Sequence, residues 1–547
     1  MAKGLIFTDT KRLAEKFSVS KEDVLCEIVS FMQFRAKQGV EYGLLDIDSS
    51  GATLRSYYRN GITDIGKSCT PCLKTESKWE GYADCLDNYD ISSLFGITDK
   101  KLQTIFIIGG NDVIPVPSIP NFNEERGIRM NLESDMPYTL DIRSYGHHGR
   151  YNWDDIKKIL SKKPKYNISR LPIPEGKCEI SILTSYFEKI KDAISSRSEL
   201  SCKKATCIAC NATKEVANRI MAHTSTILGV NNVSKHLSPQ MDINKPSQVK
   251  KLLKDAPDSD MLVFVLHGSS RPGESEYAGH IDVKEPVGPI AFSPNNLKEF
   301  ERTRIIAGLC CWGARYIGYS TDDSMLLTAL NKLNAISFLG ASSSVAGGFD
   351  CRIKLNGDDI SYGEKLLQYY VSLITDGTYT AEALTKARYL TTRKYLSLKS
   401  TMKLRTALTT MFEFGVYGDP FLTTSETGSK ESVDVILADY QREYEDRIAK
   451  ENGTLNAIRR DAKIALGEIS FEVNGVPQET IERICKKVAN DFGCKVEPLV
   501  SMYYDNINET PKYSFVFKFK NDNEKYDQDI IVYSDMNGDI DDVHFMY

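Results

Sequence analysis

The chain has 547 residues, which is too many for a single hydrophobic core and predicts roughly two to four domains. Hydrophobic residues make up 41% of the chain and charged residues 26%, a balance typical of soluble globular proteins. The formal net charge of −5 provides no overall basic field, so direct binding of nucleic acid is not expected.

The N-terminal residues and the cysteines indicate the cellular compartment of the protein. The first residues contain no apolar core of signal-peptide length, and no apolar run approaches the roughly 20 residues of a membrane span. The thirteen cysteines are odd in number and irregularly spaced, which favours reduced thiols over a disulfide framework. We therefore expect a cytoplasmic protein without a membrane span.

The N-terminal part of the chain shows helical and strand-like patterns in turn. Helical periodicity in VLCEIVSFMQFRAKQ is followed by the short apolar run GLLDID. The continuous apolar run that begins at Thr104 and ends at Gly109-Gly110 predicts a buried parallel strand followed by a loop. Residues 178–194 are amphipathic and predict a helix. The polar segment 195–204 then indicates a subdomain boundary.

Beyond this boundary, strand and helix patterns alternate. The strand-like runs are ATCIACN, MLVFVLHG, RTRIIAGLCC and AISFLGASS, and the helical runs are KEVANRIMAHTSTIL and DSMLLTALNKLN. This alternation predicts an α/β domain with a mainly parallel sheet flanked by helices. Functional sites in such sheets lie at the carboxyl ends of the strands.

The C-terminal residues change in character. Two helical patterns, VILADYQREYEDRIAKEN and PQETIERICKKVANDFG, precede three strand-like runs, KYSFVFKFK, DQDIIVYSD and DDVHFMY. We therefore expect an N-terminal α/β subdomain at 1–196, a catalytic subdomain at 197–428 and a small α+β module at 429–547. The module is expected to regulate the site or to recruit a partner.

A histidine and a cysteine follow two of the strand-like runs. His267-Gly268 comes directly after MLVFVL, and Cys310 follows 43 residues later in RIIAGLCCWGA. A cysteine peptidase needs a thiolate, a base that takes its proton and donors for the oxyanion, and two strand ends of one sheet can supply them. Either residue alone is more often structural, but the two in this order favour a cysteine peptidase. Gly268 would let the backbone approach the substrate.

Several stretches between about residues 100 and 425 resemble the gingipain family of caspase-like cysteine peptidases, a group that also includes caspases, legumain, separase and CHAT domains. These stretches are IFIIGGNDVIPVP, YNISRLPIPEGKCEISILTSYFEKI, LHGSS, GLCCWG, ISFLGASSSVAGG and FGVYGDPFL. The resemblance implies a caspase-like fold. At Ser169-Arg170 the chain departs from the family's usual Gly-Arg.

The resemblance also implies roles for particular residues. Relatives with Cys-x-x-Gly would place the nucleophile at Cys310, with Gly313 as the glycine, and this is the preferred assignment; the caspase spacing Cys-x-Gly would place it at Cys311. His267 would protonate the leaving amine, and the N–H groups of Gly268 and Cys310 would hold the oxyanion of an acyl transfer through a thioester. That chemistry requires no metal or cofactor. A basic residue before the cleaved bond is favoured over Asp.

Two other functions share this fold. One is a catalytically silent scaffold, although the presence of both His267 and the cysteines argues against it. The other is an effector whose activity depends on a partner. The expected partners of an active enzyme are a protein or peptide substrate and an activating or regulatory protein. An intracellular regulatory or defence protease would fit the resemblance.

Overall fold

A computed structural model provides the coordinates of the chain. It describes residues 2–47, 52–58, 61–69, 79, 82–83, 86, 104–119, 132–139, 160, 164, 166–196, 201–238, 259–268, 277–279, 290–297, 300, 302–343, 345, 352–355, 358–396, 398, 401–424, 478–492, 499–505, 510–520, 527–534 and 539–546. The described residues form two compact units, Met1–Gln441 and Arg442–Tyr547. No helix in these ranges is both long enough and apolar enough to cross a membrane.

The strands of the first unit are β1 Ala2–Thr8, β2 Val40–Asp46, β3 Ala52–Tyr58, β4 Gly61–Cys69, β5 Thr104–Ile108, β6 Ser118–Ile119, β7 Leu132–Glu133, β8 Asn167–Leu171, β9 Ala205–Cys210, β10 Val233–Ser238, β11 Met261–Val265, β12 His267–Gly268, β13 Tyr277–Ala278, β14 Ile290–Phe292, β15 Ile305–Leu309, β16 Ser337–Ala341, β17 Arg352–Leu355, β18 Asp358–Ser361 and β19 Phe414–Gly418. Its helices are α1 Thr10–Phe17, α2 Lys21–Lys37, α3 Ser181–Ser195, α4 Lys214–Leu228, α5 Pro294–Leu297, α6 Met325–Lys332, α7 Glu364–Thr375, α8 Thr380–Tyr395 and α9 Thr401–Glu413.

Twelve strands of this unit form one sheet in the order β10-β9-β11-β15-β16-β19-β8-β5-β1-β2-β3-β4. Neighbouring strands run parallel except in the pairs β16–β19, β2–β3 and β3–β4. The strands β5, β9, β11, β15 and β16 are buried along their whole length, as expected for parallel strands covered on both faces. The prediction of a mainly parallel α/β sheet flanked by helices is confirmed.

The second unit contains α10 Gln478–Phe492 and a four-stranded antiparallel sheet of β20 Leu499–Asp505, β21 Thr510–Lys520, β22 Asp527–Ser534 and β23 Ile540–Met546. The second predicted helix of this region and its three strands are present, and β20 is an additional strand. The residues around the expected boundaries, 197–200 and 425–477, lie outside the described ranges, as does the helix predicted at 435–452. Strands before and after residue 196 belong to the same twelve-stranded sheet.

A buried ion pair stabilises the central part of the sheet. Arg170 on β8 is fully buried, and its guanidinium donates to both carboxylate oxygens of Asp135, with Nε 2.8 Å from Oδ2 and Nη2 2.5 Å from Oδ1. Its Nη1 donates to the carbonyl oxygens of Gly109 and Ile114, both at 2.8 Å. Arg170 therefore ties two carbonyl groups of the loop after β5 to the neighbouring strand β8.

Replacing Arg170 with methionine should lower the free energy of unfolding by about 3–5 kcal/mol, because it leaves Asp135 and two carbonyl groups without their donor. Urea unfolding of the full-length chain measures this change. The control is Lys332→Met, which removes an ion pair with Asp322 whose side chains are 37% and 57% exposed. This control should cost no more than about 1 kcal/mol. Equal effects of the two substitutions would contradict a stabilising role for the buried pair.

Candidate functional site

The histidine and the cysteine pair follow two neighbouring strands of the sheet. β11 and β15 are parallel and in register, with Val265 opposite Leu309. On each strand, one buried residue comes next: Leu266 after β11 and Cys310 after β15. The register, continued by two residues, places His267 beside Cys311. Both of these residues are partly exposed, whereas the strands before them are buried.

Gly268 fixes this juxtaposition through its backbone. A Cβ atom added at Gly268 would lie 1.6 Å from the carbonyl oxygen of Cys311 and 2.7 Å from its carbonyl carbon. Only a glycine therefore fits here, because no side-chain atom can occupy space that another backbone already fills. The strand β12, which contains His267 and Gly268, pairs antiparallel with β13. The two loops after β11 and β15 are thus packed against each other at the carboxyl edge of the sheet.

The two cysteines of the pair differ in their environments. Cys310 is only 1% exposed and forms a backbone hydrogen bond with Leu266. Burial raises the pKa of its thiol well above the ordinary value, and the Leu266 hydrogen bond offsets only part of that rise. Cys311 is partly exposed, and its Sγ lies 3.5 Å from the carbonyl oxygen of Val345. Because a nucleophilic thiol must be accessible and able to ionise, burial favours Cys311 over Cys310 as the reactive group.

The residues that follow Cys311 turn toward the next strand, β16. Trp312 has φ 51°, a left-handed conformation that is costly for a residue with a large side chain. Its N–H donates to the carbonyl of Ser343 at 2.8 Å. The buried Tyr277 on β13 donates its hydroxyl to the carbonyl oxygen of Gly313 at 2.7 Å. The turn is therefore held from both sides, by the segment after β16 and by the hairpin strand next to His267.

The structure thus brings together all the residues that the sequence singled out for chemistry. His267, Gly268, Cys310 and Cys311 lie at the ends of adjacent strands. Sequence reasoning did not identify Tyr277, because a single tyrosine in a polar loop has no local pattern that indicates a role. It also did not identify the acidic segment 132–135, which packs beside the turn after Cys311 in three dimensions.

Comparison with known proteins finds two solved structures that are similar to this chain. The Arg-specific cysteine proteinase gingipain R is similar over 77% of this chain and 78% of its own, with 9% sequence identity and a TM-score of 0.47. A secreted C11 cysteine protease from Bacteroides thetaiotaomicron, solved with an irreversible peptide inhibitor, is similar over 35% of this chain and 59% of its own, with 11% identity and a TM-score of 0.23. No protein-family model and no curated protein matches the chain.

Proposed function

We propose that the protein is a cysteine endopeptidase in which His267 and Cys311 form the catalytic dyad. The observation that supports this most strongly is the packing of Gly268 on the Cys311 carbonyl, at the ends of two parallel strands in register. Reactive groups at the carboxyl ends of neighbouring parallel strands can act on one bound substrate. Cys310, the nucleophile that the family resemblance preferred, serves in this proposal as a buried support.

The reaction is acyl transfer from a peptide to the thiol and then to water. The Cys311 thiolate attacks the carbonyl carbon of the scissile bond, and the carbonyl electron pair moves onto oxygen. Collapse of this intermediate breaks the C–N bond, and imidazolium His267 gives its proton to the leaving amine. Water then attacks the thioester with His267 as base, which releases the acid and regenerates the thiol. The backbone N–H groups of Gly268 and Cys311 are the nearest candidates to stabilise the oxyanion.

The positioning of the dyad depends on residues that do not react. Gly268 allows the two loops to approach, and Tyr277 holds the turn that begins at Cys311 through the Gly313 carbonyl. Such supports matter because a displacement of about 1 Å in a reacting group can lower a rate by about 10²-fold. We therefore assign Gly268 and Tyr277 as positioning residues.

A peptide substrate library with iodoacetamide and a chelator tests the proposed class of enzyme. The purified protein should cleave a subset of quenched fluorescent peptides, and iodoacetamide should abolish that cleavage because it alkylates the thiolate. A chelator should leave the rate unchanged. The library also shows whether Arg or Lys precedes the cleaved bond, as the resemblance favours, or Asp. Cleavage that survives iodoacetamide but is lost with the chelator, and is restored by zinc, would contradict the proposal.

A further inference from the structure

The residue that follows β9 lies at the same edge of the sheet as the proposed dyad. β9 and β11 are parallel, with Ala209 opposite Val265. Continued by two residues, this register places Asn211 beside His267, and the register of β11 with β15 places Cys311 on the other side of His267. The ends of β9, β11 and β15 therefore form a row of Asn211, His267 and Cys311.

Hydrogen bonds hold the turn after β9 against the strands next to it. The hydroxyl of Thr213 donates to the carbonyl oxygen of Val265, the last residue of β11, at 3.3 Å. The thiol of Cys210 donates to the carbonyl oxygen of Ala278, with 3.6 Å between sulfur and oxygen. Ala278 is the residue of β13 that pairs with His267 on β12. The turn is therefore attached both to β11 and to the strand opposite His267.

The fold itself makes no use of the Asn211 side chain. An asparagine at the start of a helix often caps it, but the N-cap of α4 is Thr213. Asn211 is partly exposed, and its carboxamide takes part in no hydrogen bond within the described part of the chain. A carboxamide has two N–H donors and an oxygen with two acceptor sites. These groups are available to a molecule that lies across the row.

The order of the row indicates which part of a peptide substrate reaches Asn211. In the proposed mechanism, on which this inference rests, His267 gives its proton to the leaving amine, so the leaving part of the substrate lies on the His267 side of Cys311. Asn211 lies one strand further in the same direction. Neighbouring strands are about 4.8 Å apart, so Asn211 is about 10 Å from Cys311, a distance that about three residues of an extended peptide span. The carboxamide therefore meets the substrate about two residues beyond the cleaved bond.

We propose that Asn211 binds the backbone of the second residue after the scissile bond, with its side-chain N–H groups donating to a peptide carbonyl oxygen. The contact is made to the main chain, so it favours peptides that continue beyond the cleaved bond without selecting their side chains. Asn211 takes no part in the proton transfers of the reaction.

Two substrates with the same residues before the cleaved bond test this contact. One is an aminocoumarin amide with no residue after that bond, and the other is a quenched fluorescent peptide with three residues after it. The ratio of their kcat/KM values is compared between variants, so that the different reactivity of the two leaving groups cancels. Asn211→Ala should lower the ratio of peptide to aminocoumarin amide by about 3- to 10-fold, which corresponds to the loss of one or two hydrogen bonds.

Asn218→Ala is the matched control, because Asn218 is an exposed residue of α4 whose side chain bonds to Glu215 and Lys235. It should leave the ratio within about twofold of wild type. An unchanged ratio in Asn211→Ala, with or without an equal loss on both substrates, would overturn the contact and leave the dyad standing. A wild-type protein that cleaves neither substrate would overturn the contact together with the proposed function.

Discussion

The Cys311→Ala variant should lose at least about 10³-fold in kcat/KM toward a cleaved peptide, because removal of the nucleophile leaves only binding and oxyanion stabilisation. Cys310→Ala should keep activity within about tenfold of wild type. The neighbouring thiol cannot replace the lost one, since it is 1% exposed and burial raises its pKa well above the ordinary value. Burial therefore disfavours the thiolate form of Cys310.

Initial-rate kinetics on the two variants, with circular dichroism to verify folding, measure this difference. The two variants are matched controls for each other, because each removes a single thiol and the two positions are adjacent in the chain. An active Cys311→Ala together with an inactive, folded Cys310→Ala would assign the nucleophile to the buried position and contradict the argument from accessibility. Two fully active variants would remove the cysteine pair from the chemistry altogether.

The Gly268→Ala variant should lose at least about 10²-fold in kcat/KM although neither reacting group is changed. The added methyl group would overlap the Cys311 carbonyl oxygen, which lies 1.6 Å from the Cβ position. The loops after β11 and β15 must separate to accommodate it, and the dyad geometry is lost with that movement. Kinetics on a cleaved peptide measure the loss.

The control for this substitution is Gly308→Ala on the neighbouring strand. A Cβ atom there would have its nearest neighbours at 3.8 Å, the Cys310 sulfur and the Phe264 Cβ, which is ordinary van der Waals contact. We expect this variant to keep activity within about threefold of wild type. A Gly268→Ala variant as active as Gly308→Ala would show that the close approach of the two loops is not needed for function.

Much of the fold is predictable from short apolar runs in the sequence. MLVFV and IIAGL form β11 and β15, and the run TIFII forms β5, because continuous burial of parallel strands leaves a continuous apolar signature. The helices α2, α3 and α4 follow from 3.6-residue periodicity.

Other elements have no such signature. β1 is a short strand whose apolar core is only LIF, and the sequence gives it no flanking turn signal. In α8 the buried residues include Thr380, Thr391, Thr392 and Tyr395, so its apolar stripe is interrupted and tertiary packing rather than periodicity defines the helix. The strands β3 and β4 contain several polar residues, and they are recognised by their pairing, β3 with β2 and β4 with β3.

The residues of the candidate site can be picked out from the sequence, but the choice between its two cysteines cannot. The order of His267 and the cysteines identifies the two loops, whereas the choice between Cys310 and Cys311 depends on how β11 aligns with β15. The proposed choice of Cys311 rests on counting from the strand ends: one buried residue separates β11 from His267, and one separates β15 from Cys311.

The most direct test of the proposed dyad is to map a covalent label. A peptidyl acyloxymethyl ketone alkylates a cysteine nucleophile only when a base and a substrate cleft activate it, and peptide mass spectrometry locates the adduct. The proposed dyad predicts a stoichiometric adduct on Cys311 in the wild type and its loss in His267→Ala. An adduct on Cys310, or labelling of Cys311 that is independent of His267, would contradict it.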